Sequence, residues 1–250
     1  MCNKSFKTYK EQIDILKRRG LLISNETLAE KVLSSENYYR LINGYKDLFL
    51  DTSKIVETYK SGTTFDEIYA LYKFDEELRS YFLISFLSIE NNLKAYIAYE
   101  FSKSNGANGY LDANNFNYIQ SNQQEINKLI SKINSMIADK SRYDRRLQHY
   151  NYNHGGILPL WVIINLLTLG NVSKFFKYMN QSEQNSVARR FNIKPNILNN
   201  YLKNITLARN VCAHSDRFFS LRFYSEIGSL PEHDMLKISL KDEKHIMGVT

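Results

Sequence analysis

From Leu207 to Arg217 the chain reads Leu-Ala-Arg-Asn-Val-Cys-Ala-His-Ser-Asp-Arg, so Arg209, a permanent cation, stands five residues before His214, which titrates near neutrality. A fixed positive charge beside a proton carrier suits cleavage of a phosphodiester. The guanidinium would offset charge building on the phosphorane, and the imidazole would shuttle a proton. In RNA the nucleophile is supplied by the substrate, as the ribose 2′-hydroxyl, so the chemistry calls for neither metal nor cofactor. Asn210 would orient the phosphate or the imidazole. At about 100° per residue, Asn210, His214 and Arg217 share a polar face, and Arg209 lies at the edge of the apolar stripe, about 140° from His214. Both can grip one phosphate only if the helix ends between them, if the arginine curls round, or if a second copy completes the site. The arrangement we favour is a two-fold homodimer whose paired helices line a shared cleft. By spacing alone the pair fits a structural role better: an arginine capping helix carbonyls and a histidine satisfied at a helix end.

The element that carries this segment should be a helix from about 196, with Ile197, Tyr201, Ile205, Ala208 and Cys212 on one face. With 43% apolar residues, only 10 Gly and 3 Pro, the chain has few breaks, and a mainly α fold is expected. From 64 to 103 there is no Gly or Pro, and Ile68, Leu71, Tyr72, Leu78, Phe82, Ile89, Leu93 and Ile97 recur at helical spacing. That stretch reads as a central long helix or a kinked pair. On it Glu90 and Lys94 lie one turn apart, where an ordinary surface pair contributes a few tenths of a kcal/mol, roughly.

Two short helices, 9–19 and 25–33, flank Gly20 and have the spacing of a helix-turn-helix, followed by Tyr38, Tyr39, Arg40 and Tyr45. Such pairs also occur in helical proteins that bind no nucleic acid. A polar, Asn-rich loop is expected at 104–122, a helix at 123–139, and a second loop at 141–156. The apolar run after Pro159, Leu160-Trp161-Val162-Ile163-Ile164-Asn165-Leu166-Leu167, is too short for a membrane span and is assigned to the core. A helix at 182–191 follows. Residues 218–224 and 235–240 each read as a short strand. The expected division is an N-terminal helical unit, 1–60, a helical domain, 61–220, and an extension, 221–250.

The formal charge of +7, with 18 Tyr and 14 Phe, favours an acidic partner such as RNA, because exposed rings beside cations stack unpaired bases. Arg142, Arg145, Arg146, His149 and Tyr150, with Arg217 further on, are the candidate RNA contacts. The bland alternative for 141–156 is a solvated loop whose tyrosines close over the core. Cys2 and Cys212 form no disulfide framework, and Cys212 reads as a buried thiol. With no apolar signal core at the N-terminus, a cytoplasmic protein without membrane contact is expected.

Four passages resemble the Abi-like family of bacterial phage-resistance proteins, grouped with AbiD and AbiF, over nearly the whole chain. They are Tyr38-Tyr39-Arg40-Leu41-Ile42-Asn43-Gly44-Tyr45; the stretch from Phe74-Asp75-Glu76-Glu77-Leu78-Arg79 to Ile89-Glu90; Leu158-Pro159-Leu160-Trp161-Val162 with Leu169-Gly170; and Ala208-Arg209-Asn210-Val211-Cys212-Ala213-His214. The last is similar to the Arg-Asn-x-x-x-His signature of HEPN ribonucleases, which also occurs in RNA-guided type VI CRISPR effectors. The resemblance implies a HEPN-like helical bundle, a metal-independent endoribonuclease, a dimer, and arrest or death of the infected cell. Arg209, Asn210 and His214 would carry the reaction, with Glu90 facing the cleft and Lys94 beside it. His149-Tyr150 is a lesser match. AbiF-like members are associated with a small non-coding RNA, so RNA is expected both as substrate and as regulator, in a toxin–antitoxin arrangement. The chain departs from the pattern at Asn165, where many relatives carry Glu, and at Ser215, where they carry a second His. Asn165 cannot act as a base. A weak or tightly regulated nuclease follows, and the alternative is a non-catalytic RNA-binding sensor or scaffold.

Overall fold

A computed structural model describes residues 5–223 and Met235 of the chain, and among them it is mainly α-helical, with no β structure beyond two isolated bridges, Leu22 with Thr64 and Leu50 with Tyr59. The mainly α expectation holds. The strand expected at 218–224 does not form in its described part: residues 218–221 make a turn, Leu221 N–H donating to the Phe218 carbonyl at 2.8 Å. Its backbone donors are already committed, since Phe218 and Phe219 N–H groups bond the Asp75 carboxylate at 2.9 and 2.7 Å. Apart from Met235, the strand expected at 235–240 lies outside the described residues.

Contacts divide the described chain into two units, 5–83 with 211–221, and 84–210 with 222 and 223. In the first, α1 (Tyr9–Arg18) starts at a reciprocal cap between Thr8 and Glu11, and α2 (Glu26–Ser35) starts where Asn25 Oδ1 accepts the Leu28 N–H at 2.9 Å. Gly20 joins them at φ +89°, a left-handed conformation that glycine adopts without Cβ strain. Their inner faces, Ile13, Leu16, Ala29, Val32 and Leu33, pack with Leu41, Tyr45, Phe65, Ile68 and Tyr72.

The expected central helix is single and unbroken, α3 (Phe65–Asn105), opened by the Thr64–Glu67 cap, in which each residue's side chain accepts the other's N–H. Its residues 65–83 serve the first unit and 84–105 the second. The second unit adds α4 (Gln123–Lys140), α5 (Arg145–Asn153), α6 (Leu160–Ile163), α7 (Leu169–Tyr178), α8 (Gln181–Arg189) and α9 (Pro195–Ala213), the last as far as Asn210. Pro195 occupies the first position of α9, where a missing N–H costs nothing. Phe101, Phe116 and Phe175 meet with ring centroids 4.9 to 5.0 Å apart at the centre of this core. Burying each such side chain contributes about 1.5–3 kcal/mol. The Asn-rich segment after α3 is not wholly a surface loop, because Tyr110 and Phe116 point inward, and the Tyr110 hydroxyl donates to the Leu158 carbonyl at 2.9 Å.

Residues 145–153, expected within a loop, form α5 instead. Asp144 caps it, accepting the Arg146 N–H at 2.9 Å, and Leu147 anchors its inner face. The Arg146 guanidinium closes on the same carboxylate at 3.0 and 2.6 Å, and that bonding holds the Asp144 carboxyl down at about 2, against an ordinary value of 3.8. A depressed carboxylate pKa means the cap's contribution is complete above the unfolded value, roughly 4, and is lost as pH falls through about 2. An NMR titration of the Arg146 amide should therefore show a midpoint near 2, moving toward 4 in Arg146→Ala; a midpoint near 4 in the unaltered chain would contradict this cap.

Candidate functional site

Helix α9 continues through Ala213, so it does not end between Arg209 and His214. It stops immediately beyond: Ser215 takes φ +59°, Ser215 N–H donates to the Cys212 carbonyl at 3.3 Å, and Asp216 N–H to the Val211 carbonyl at 3.0 Å. This is the usual left-handed helix stop, with serine where glycine is commonest. It makes His214 the capping residue, exposed, with no side-chain hydrogen bond among the described residues.

Arg209 and Asn210 belong to the second unit, and there Arg209 does curl, toward α3. Its Nε lies 3.4 Å from Glu90 Oε2, while Glu90 Oε1 accepts from Lys94 Nζ at 2.6 Å, and Arg209 Nη1 lies 3.5 Å from Asn210 Oδ1. Glu90 and Lys94 are 5% and 7% exposed, so they are a buried pair and not the surface pair that their spacing suggests. One carboxylate between two cations leaves a net charge of +1 on the cluster, and the Arg209 side chain remains 29% exposed. A buried ion pair contributes little net stability, but it fixes where a guanidinium sits. The cluster thus presents a positioned cation from which an oxyanion could accept hydrogen bonds.

Along α5, Arg145, Arg146, His149 and Tyr150 line a cavity of about 360 Å³ together with Trp161 and Asn165. Arg142 lies outside it and is exposed. Trp161, assigned to the core by its apolar neighbours, is 49% exposed, whereas Leu160 and Ile163 beside it are fully buried. The reason is helical register: Trp161 and Asn165 occupy the outer side of the turn, joined by the Asn165 amide donating to the Trp161 carbonyl at 2.8 Å.

In the first unit, Arg217 is engaged internally, donating to the Gly44 carbonyl at 3.0 Å and to Asp47 at 2.6 Å. A cluster the sequence reading passed over lies beside it. Asp75, fully buried, accepts from the Tyr45 hydroxyl at 2.6 Å, from Arg79 at 2.7 Å, and from the Phe218 and Phe219 amides. Two passages of the resemblance, around Tyr45 and Asp75, thereby tie down the backbone that follows His214. The signal was present in the sequence, since Ile68, Tyr72, Asp75 and Arg79 follow one helical stripe, and a charged pair on an apolar stripe marks a buried ionic site.

Cys212, between Asn210 and His214, is buried, and burial pushes its thiol up to about 11. It carries no thiolate at neutral pH and is expected to resist reagents. In a Cys2→Ser variant, a disulfide-exchange reagent in mildly alkaline buffer should label Cys212 only after denaturation; rapid labelling of the native protein would refute the burial. Among the described residues, no helix is long and apolar enough to cross a membrane.

The family model described as Abi-like protein matches residues 31–220, well over half of the chain and inclusive of all four passages noted in the sequence. No curated protein and no solved structure matches.

Proposed function

Because this chain belongs to the Abi-like family, and so to the abortive-infection type of phage defence, we propose that it binds RNA and cleaves it as a metal-independent HEPN endoribonuclease. The observation that carries this reading is the Glu90–Lys94–Arg209 cluster, which holds the motif's arginine in place with a net positive charge and its side chain partly open. Arg209 stabilises charge on the phosphorane as the 2′-oxygen attacks, and Asn210 orients the phosphate. His214, exposed at the helix cap, takes the 2′-hydroxyl proton or returns one to the departing 5′-oxygen. The products are a 2′,3′-cyclic phosphate and a 5′-hydroxyl. A homodimer brings a second imidazole, so that one serves as base and the other as acid. Ile84 and Leu87, exposed on the second unit's part of α3, are apolar surface of the kind a second copy covers.

The second reading, an RNA-binding sensor or scaffold held by a small regulatory RNA, is favoured by Asn165 and Ser215 standing where the family resemblance implies acid–base side chains. Incubation with labelled single-stranded RNA in EDTA, followed by analysis of product ends, tests the choice. Cyclic-phosphate ends made by the unaltered protein and not by His214→Ala support the nuclease; binding without cleavage, with small-RNA and phage activators supplied, supports the sensor.

A further inference from the structure

The second unit contains a cavity that the Arg209 motif does not itself account for. It has a volume of about 790 Å³, within the range of ligand sites, and is walled by Tyr99, Trp161, Lys94, Lys103, Ser102 and Asn165. The smaller cavity along α5 adjoins it, because Trp161 and Asn165 line both. Across the two, among the described residues, the cations Lys94, Lys103, Arg145 and Arg146 meet Tyr99, Trp161, His149 and Tyr150, and no carboxylate lines either. Arg146 is partly neutralised by Asp144 and Lys94 by Glu90, whereas Lys103 and Arg145 make no ion pair among the described residues.

Tyr99 is 60% exposed, so a large ring from α3 and another from α6 stand open on one hollow. The buried Ser102 Oγ beside them has no hydrogen-bond partner among the described residues. The larger cleft of the first unit, about 1160 Å³, has a different character: its Arg19 and Lys46 both pair with Glu57, at 2.5 and 2.6 Å. Carboxylates of Glu36 and Glu57 stand among the cations that line it, so it is not the acid-free, ring-lined hollow found in the second unit.

Rings that offer flat apolar faces, with unpaired cations beside them and no acid, match the chemistry of an unpaired nucleotide, whose base stacks while its phosphate is neutralised. A duplex offers phosphates but keeps its bases stacked inside, so it could use the cations and leave the rings idle. We infer that the cavities sharing Trp161 form a subsite for single-stranded RNA, an unstacked base seating against Trp161 and Tyr99 while Lys103 and Arg145 take the flanking phosphates. This rests on the RNA reading above and specifies its substrate class. Lys94 links the subsite to the motif, as it lines the hollow and bonds the carboxylate that positions Arg209.

Trp161 is the chain's single tryptophan, so its fluorescence reports on this place alone. The probes are a short end-labelled RNA of adenine and cytosine only, which cannot pair with itself, and a blunt RNA duplex of equal length, each titrated into the full chain carrying His214→Ala to keep the RNA whole. Expected results are quenching of Trp161 by the single strand and not by the duplex, a loss of affinity of roughly 5- to 150-fold in Trp161→Ala, and recovery of most of it in Trp161→Phe. Binding seen by anisotropy with unchanged Trp161 emission and undiminished affinity in Trp161→Ala overturns the subsite and leaves RNA binding standing. Equal quenching by the duplex overturns the single-strand assignment. Failure of both RNAs to bind overturns the subsite and the RNA reading together.

Discussion

His214→Ala is expected to reduce RNA cleavage by about 10²–10⁴-fold, the usual contribution of a positioned acid–base group, while RNA affinity stays within about 2-fold. The structure separates this loss from unfolding. His214 is exposed and makes no side-chain hydrogen bond among the described residues, and the helix stop is made by the backbone N–H groups of Ser215 and Asp216. Truncating the imidazole therefore leaves the cap intact, and thermal stability should change by less than about 0.5 kcal/mol, as for surface substitutions generally. Arg209→Ala has a different signature. It leaves Glu90 with Lys94 as its remaining partner and removes positive charge, so cleavage and affinity should fall together. The measurements are cleavage rate in EDTA and affinity for an RNA blocked by 2′-deoxyribose. Undiminished cleavage by His214→Ala would remove the histidine from the mechanism.

Asp75→Ala is expected to destabilise the protein by about 3–5 kcal/mol, because it strands a buried guanidinium. Asp75 is fully buried and Arg79 nearly so, and the alanine removes the carboxylate that accepts from Arg79, the Tyr45 hydroxyl and two backbone N–H groups, leaving Arg79 only the neutral Tyr45 oxygen and Asp216 carbonyl among the described residues. At about 2–4 °C per kcal/mol for a chain of this size, the melting temperature should fall by roughly 10 °C. A double change, Asp75→Leu with Arg79→Met, removes the buried charge and should recover part of the loss, but not all, since the bonds from the Phe218 and Phe219 amides to the Asp75 carboxylate are still lost. The same amides fasten the segment after His214, so trypsin should cut Asp75→Ala at Arg217 sooner than the unaltered chain. A melting temperature within about 2 °C of the original would mean that water or another group replaces the carboxylate.

Much of the architecture was legible from local pattern. The apolar periodicity after Thr64, uninterrupted by Gly or Pro, corresponds to α3 (Phe65–Asn105), and Asn25 caps α2 because a short polar side chain can reach the amide three residues on. Where local signals competed, they misled: the cations and rings of 141–156 suggested a loop, yet Asp144 and Leu147 sufficed to start and seat α5. The Phe-rich stretch after Arg217 looked like a strand, but its amides were taken by Asp75, more than a hundred residues earlier in the chain.

The sequence by itself determined the mainly helical class, the family, and the gathering of Arg209, Asn210 and His214 near one helix end, while the structure decided that the helix runs past Arg209 and makes His214 its cap. The former follow from composition and residue spacing, and the latter from backbone bonds between near neighbours. Only the tertiary structure decided that Glu90 and Lys94 are buried around Arg209, that Arg217 is spent on Asp47, and that Trp161 opens onto a cationic hollow. Burial and charge pairing depend on which distant segments pack together, and a one-dimensional pattern of residue types does not specify that.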